Sequence, residues 1–143
     1  MARSARPMAG APLFEVCVHG RAFSAQSGNR DGLDAWKRHV TAASVAVQNP
    51  RSPLTGPVEL HMFHYTEELA ADVDNLNKPI QDALQGVVFL DDRQVMLSRS
   101  GWRDINGVYR LRYISPVLGA AFSDGRPFVH IRVWRATMTE ELD

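Results

Sequence analysis

Apolar and polar positions along this chain follow two rhythms in turn, one of period two and one helical. The run "LFEVCVHGRAF" alternates as a half-buried first strand does. In "DGLDAWKRHVTAASVAVQ", Leu33, Trp36, Val40, Ala43 and Val47 recur on one helical face, with Asp31 as the N-cap and Pro50 beyond the end. The loop "NPRSPLTGP" leads to "VELHMFHYT", a second strand. Leu76, Ile80, Ala83, Leu84 and Val87 then fall at i, i+4, i+7, i+8 and i+11, an amphipathic helix that Gly86 can close, with Pro79 tolerated in its first turn. "RQVMLSRSGWRD" and "VYRLRYIS" flank Asn106-Gly107, a strong hairpin signal, and "PFVHIRVWRA" makes a last strand after the turn residues "SDGRP". The predicted order is β-α-β-α-β-β-β. It describes a mixed α/β (α+β) single domain over residues 13–136, two helices packed on a mixed sheet, between flexible tails at 1–12 and 137–143.

Composition narrows the function classes. A chain of 143 residues with 45% hydrophobic content can bury one core without disulfides or structural metal. Its single cysteine, Cys17, lies in an apolar run and reads as a small core residue, in keeping with a reducing cytoplasm. The basic start, "MARSARPMAGAP", has no apolar stretch of signal-peptide length, and nowhere do 18 apolar residues run together, so neither export nor a membrane is expected.

The formal net charge of zero conceals a segregation. Between residues 59 and 92 stand Glu59, Glu67, Glu68, Asp72, Asp74, Asp82, Asp91 and Asp92 against Lys78 alone. Between 93 and 135 the sign reverses: eight arginines face only Asp104 and Asp124. An enzyme that holds cations in one place and phosphates beside it needs such a division.

On the predicted helix Asp74, Lys78 and Asp82 follow one another at i, i+4 and i+8, Asp72 sits in the loop before it, and Asp91 and Asp92 occupy the turn into the next strand. Carboxylates drawn together from two segments repel unless a cation compensates them, and hard oxygen ligands suit Mg²⁺ or Mn²⁺. Lys78 would add a fixed positive charge for the transition state. A calcium EF-hand is excluded, because Leu76 stands where a ligand belongs and no glycine follows. A haloacid-dehalogenase-type site would follow a buried strand, whereas "TEELAA" precedes these aspartates. A plain structural reading stays open: a helix cap, an exposed i, i+4 pair and a polar turn. His61 and His64 point to opposite faces of one strand and make no metal pair there. Arg110 and Arg112 share a face of the predicted hairpin opposite Tyr109, Leu111 and Tyr113, and that face could track a phosphate backbone.

The pattern Asp72-x-Asp74-Asn75-x-x-Lys78, then Asp82-Ala83-Leu84, Gly86 and Asp91-Asp92-x-Gln94-Val95, resembles the RusA family of Holliday junction resolvases. A first strand ending in Gly20, a helix holding Trp36 and the closing "FVHIRVW" are similar too. The resemblance implies a Mg²⁺-dependent endonuclease, with Mn²⁺ as a possible substitute, acting as a homodimer that nicks a branched DNA, the four-way junction, symmetrically. It implies that Asp72, Asp74 and Asp92 are metal-binding carboxylates and Lys78 the catalytic lysine, with Asp91 and Asp82 at recurrent positions of lower rank, Asp91 as a further candidate metal ligand. Arg93, Arg99, Arg103, Arg110 and Arg112 are the expected nucleic-acid contacts. Glu67 and Glu68 depart from the basic approach expected of junction-cleaving relatives. That departure leaves room for another branched DNA or RNA substrate, in phage or defence settings, or for a non-catalytic DNA- or partner-binding module.

Overall fold

The computed structural model describes residues 10–48, 52–110, 112 and 114–137. In chain order these form β1 (Phe14–His19), α1 (Arg30–Gln48), β2 (Val58–Thr66), α2 (Val73–Leu84), a short 3₁₀ turn (Asp92–Gln94), β3 (Val95–Asp104), α3 (Pro116–Asp124) and β4 (Phe128–Arg135). The strands lie in the order β1-β4-β2-β3. β4 is antiparallel to both neighbours, while β2 and β3 are parallel. A parallel pair needs a crossover, which α2 supplies, and β3 is left as an edge strand. The mixed α+β single domain expected from the periodicity is the one observed.

Strand alternation divides the core. Phe14, Val16 and Val18 of β1, Val58, Leu60 and Met62 of β2, and Val129, Ile131 and Val133 of β4 share one face with Trp36 and Val40 of α1 and Ile80, Ala83 and Leu84 of α2. Each large aliphatic side chain buried there contributes about 1.5–3 kcal/mol. On the other face Tyr65 and Phe128 stack at 4.7 Å beneath Ala121 and Phe122 of α3.

Several local expectations are corrected. Asn29, not Asp31, caps α1, its Oδ1 accepting from the Gly32 N–H at 2.9 Å. Pro50 lies outside the described residues. α2 begins at Val73, so Pro79 falls past the first turn. The helical N–H that Pro79 cannot offer to the Asn75 carbonyl is replaced by the Ala25 N–H, 2.8 Å away. This bond ties the loop after β1 to the start of α2. The helix ends at Leu84, and Gly86 (φ 83°) turns the chain just beyond it, so Val87 lies outside the helix.

The predicted hairpin is the larger correction. Asn106-Gly107 does turn, with the Gly107 N–H bonded to the Asp104 carbonyl at 2.9 Å. The chain then leaves the sheet: no described residue of 108–115 is in a strand, and Leu111 and Tyr113 lie outside the described residues. Tyr109 folds back instead, its hydroxyl donating to the Asp104 carbonyl at 2.6 Å and its ring leaning on Tyr65 and Phe122. A third helix, α3, follows, capped by Ser115 through the Leu118 N–H (3.1 Å) and closed by Gly125 at φ 78°. No helix among the described residues is long and apolar enough to cross a membrane. The predicted tails fall largely outside the described residues.

Candidate active site

α2 packs against edge strand β3 and reaches β2 through the bond between Asn77 and His64. On the helix-bearing face β3 presents small side chains, Ser98 and Ser100, in register with Leu60 and Met62. An open cleft of about 220 Å³ remains between strand and helix. Its lining is Met62, Asp74, Asn77, Lys78, Gln81, Asp82, Asp92, Ser98 and Ser100. Helical spacing accounts for one wall: Asp74, Lys78, Gln81 and Asp82 fall on one side of α2, opposite the buried stripe of Leu76, Ile80 and Leu84. The acidic turn before β3 supplies Asp92 from the other segment, 3.4 Å from the Gln81 amide.

Of the expected site residues, Asp74, Lys78 and Asp92 border this one cleft together with Asp82. Lys78 Nζ stands 3.5 Å from the Asp82 carboxylate and stays largely in solvent. Asp72 is the N-cap of α2, exposed, its carboxylate making no capping hydrogen bond. It sits beside the cleft and does not line it. Both Asp72 and Asp74 lie at the positive end of the helix, which favours carboxylates there. Asp91 has another task. Its carboxylate accepts from the Arg93 N–H at 2.8 Å and from the Arg93 guanidinium at 3.2 Å, and this pairing holds its pKa below the ordinary aspartate value. Adjacent residues thus divide: Asp91 caps the turn, and Asp92 meets the cleft.

The turn is fixed by a residue whose importance spacing did not reveal. Gln94 Oε1 accepts from the Leu90 and Asp91 N–H groups at 2.7 and 3.0 Å, while Nε2 donates to the carbonyls of Leu54 and Gly56 at 2.8 and 2.9 Å. Asn77, Gln81, Ser98 and Ser100 were equally missed. Only Gln81, one helical turn from Lys78 and two from Asp74, could have been found from period 3.6 alone.

The arginines do not gather in the cleft. Strand alternation sends Arg99 to the opposite sheet face from Ser98 and Ser100, beside His61. Arg103 lies on that face too, over the Phe63 ring at 4.1 Å and bonded to the Tyr65 hydroxyl at 2.6 Å. Arg93, Arg110 and Arg112 are exposed.

The donor set is oxygen throughout, the chemistry that suits Mg²⁺. Among the described residues no three His, Cys, Asp or Glu side chains stand close enough to hold an ion together. No curated protein matches the chain. The family model described as endodeoxyribonuclease RusA matches residues 19–108, a span that encloses every residue lining the cleft. The chain belongs to the RusA endodeoxyribonuclease family.

Proposed function

We propose that the protein is a Mg²⁺-dependent endonuclease that resolves four-way DNA junctions in recombination and repair by paired symmetric nicks, working in the cytoplasm as a homodimer. The observation that carries this reading is the meeting of Asp74, Lys78, Asp82 and Asp92, from two chain segments, at one open cleft in a RusA-family chain. Asp74 and Asp92, which border the cleft, would hold Mg²⁺, or Mn²⁺ in its place, and Asp72, at the start of α2, would have to move in to complete the set. When bound, the ion polarises the scissile phosphate and neutralises charge on the leaving oxygen. Lys78, free to reach from the rim, draws the phosphate to the carboxylate wall and stabilises the negative charge that develops there. Asp91 acts on the reaction through the turn that presents Asp92. Arg93, Arg110 and Arg112 meet the DNA backbone from solvent. Arg99 and Arg103 serve a strand passing the opposite sheet face.

A second reading, a RusA-type nuclease for another branched DNA or RNA, is favoured by Glu67 and Glu68, both exposed on the approach to Asp72. One assay separates the two: four-way junction, flap, linear duplex and single strand, each with Mg²⁺ or EDTA, on denaturing gels. Paired nicks confined to the junction and to Mg²⁺ support resolution. Preference for another substrate moves the assignment to the second reading, and cleavage in EDTA removes the metal from it.

A further inference from the structure

One wall of the cleft, at Asn77, is backed by a buried polar partner, His64, which lies outside the cleft and lines a neighbouring pocket. His64 sits on β2 and Asn77 on the sheet-facing side of α2, exposed by only 2% and 8%. His64 Nε2 lies 2.8 Å from Asn77 Oδ1. An amide oxygen only accepts, so the imidazole N–H donates. That bond fixes the carboxamide by its oxygen and determines where its nitrogen points.

Asn77 also lines the cleft. Its amide nitrogen bonds no group among the described residues, yet it is not among the walled-in polar atoms without partners. Its donors are therefore offered to the cleft. Apolar residues fill the neighbouring buried helix positions, and an asparagine there costs stability unless its polar atoms are used. The carboxylates already present do not use them: Asp74, one turn earlier, makes no bond to Asn77. Ser98 and Ser100 bring two hydroxyls to the same cleft from β3. The cleft thus has an acidic side, Asp74, Asp82 and Asp92, and a side of neutral donors.

Resting on the nuclease reading above, we propose that Asn77 contacts the substrate, its Nδ2 donating to a non-bridging oxygen of the phosphodiester in the cleft, and that His64 is the positioning residue that orients it. Neutral donors suit this task beside carboxylates, because they bind phosphate without forming ion pairs that would occupy the acids.

The test is equilibrium binding of a four-way junction in EDTA, where cleavage does not interfere. Junctions are unmodified or carry one neutral methylphosphonate at each phosphate near the branch point. Asn77→Leu should weaken binding of the unmodified junction about tenfold, as loss of a hydrogen bond to a charged group does. At one position the methylphosphonate should weaken wild-type binding and leave Asn77→Leu no weaker than before. His64→Leu should lose part of that selectivity with Asn77 intact. Because Asn77→Leu strands the buried His64 N–H, the His64→Leu/Asn77→Leu pair is measured too: it should recover melting temperature and keep the affinity loss. Equal methylphosphonate penalties in wild type and variants at every position, or wild-type affinity in the double variant, would overturn the proposal. A wild-type protein that binds no junction overturns the junction-resolving reading and this one with it, whereas binding without the coupling overturns only this one.

Discussion

Replacing Gln94 by methionine keeps the side chain's length and removes all four hydrogen bonds it makes. Two of them, to the Asp91 N–H and the Leu54 carbonyl, are part-buried, and each contributes about 1 kcal/mol. The other two, to Leu90 and Gly56, are exposed, and water replaces them at a cost of about 0.5 kcal/mol or less each. The expected loss is therefore about 2–3 kcal/mol, which for a chain of this size lowers the melting temperature by roughly 6–10 °C. Urea unfolding followed by tryptophan fluorescence would read it, with the slope unchanged if only the native turn is affected. The same variant should slow cleavage and leave junction affinity intact, because the turn presents Asp92 and no DNA-binding group is removed. A stability loss under about 0.5 kcal/mol would refute the view that this side chain fastens the turn.

Lys78→Ala should lower turnover severely while changing stability by less than about 0.5 kcal/mol, since its pair with Asp82 is a solvated surface pair; a matching loss of stability would assign the lysine a structural role instead. Gly20→Ala should cost about 1–3 kcal/mol in thermal unfolding, because Gly20 has φ 126° and an added Cβ would stand 3.3 Å from the Trp36 ring; an unchanged melting temperature contradicts that strain. Burial pushes His61 and His64 below the ordinary histidine value and His130 down to about 4, against the hydrogen bonds they donate to Glu59, Asn77 and Glu15, which work the other way. Such groups are neutral when folded and take up protons on unfolding, so stability should be full above about pH 6.5 and fall as pH drops from there towards 4. Melting temperatures that stay level or rise through that window would contradict the neutral assignment.

How far the chain could be read in advance depended on how local each signal was. β2 was found with its observed ends because "VELHM" alternates, "FHYT" continues it with aromatic and β-branched residues, and Pro57 precedes it. The stripe of α2 and the acidic residues on its other side were legible for the same reason, one short period repeated. α3 was missed although Ser115, Pro116 and Gly125 carry its start and stop signals, because "PVLGAAFSD" is nearly apolar throughout and shows no helical stripe. The hairpin signal of Asn106-Gly107 was real as a turn and wrong as a pairing: β3 already pairs with β2 in parallel, and Tyr65 and Phe122 draw Tyr109 away from the open edge. Within the candidate site, period 3.6 put Asp74, Lys78 and Asp82 together, and the family pattern ranked Asp92 above Asp91, but spacing alone gives no reason for that ranking. The turn's geometry supplies the reason, sending Asp91 to Arg93 and Asp92 to the cleft. His64 and Asn77 belong to different elements, so their bond could not be read from either pattern.

The central claim is that the carboxylates at the α2 cleft cut a four-way junction. Wild type, Asp72→Asn, Asp74→Asn and Asp92→Asn should be compared on one labelled junction with Mg²⁺, with cleavage and binding read in parallel. Paired symmetric nicks by wild type, and uncut but fully bound junction in each variant, are the predicted result; cleavage retained by any of the three would contradict the assignment of that carboxylate.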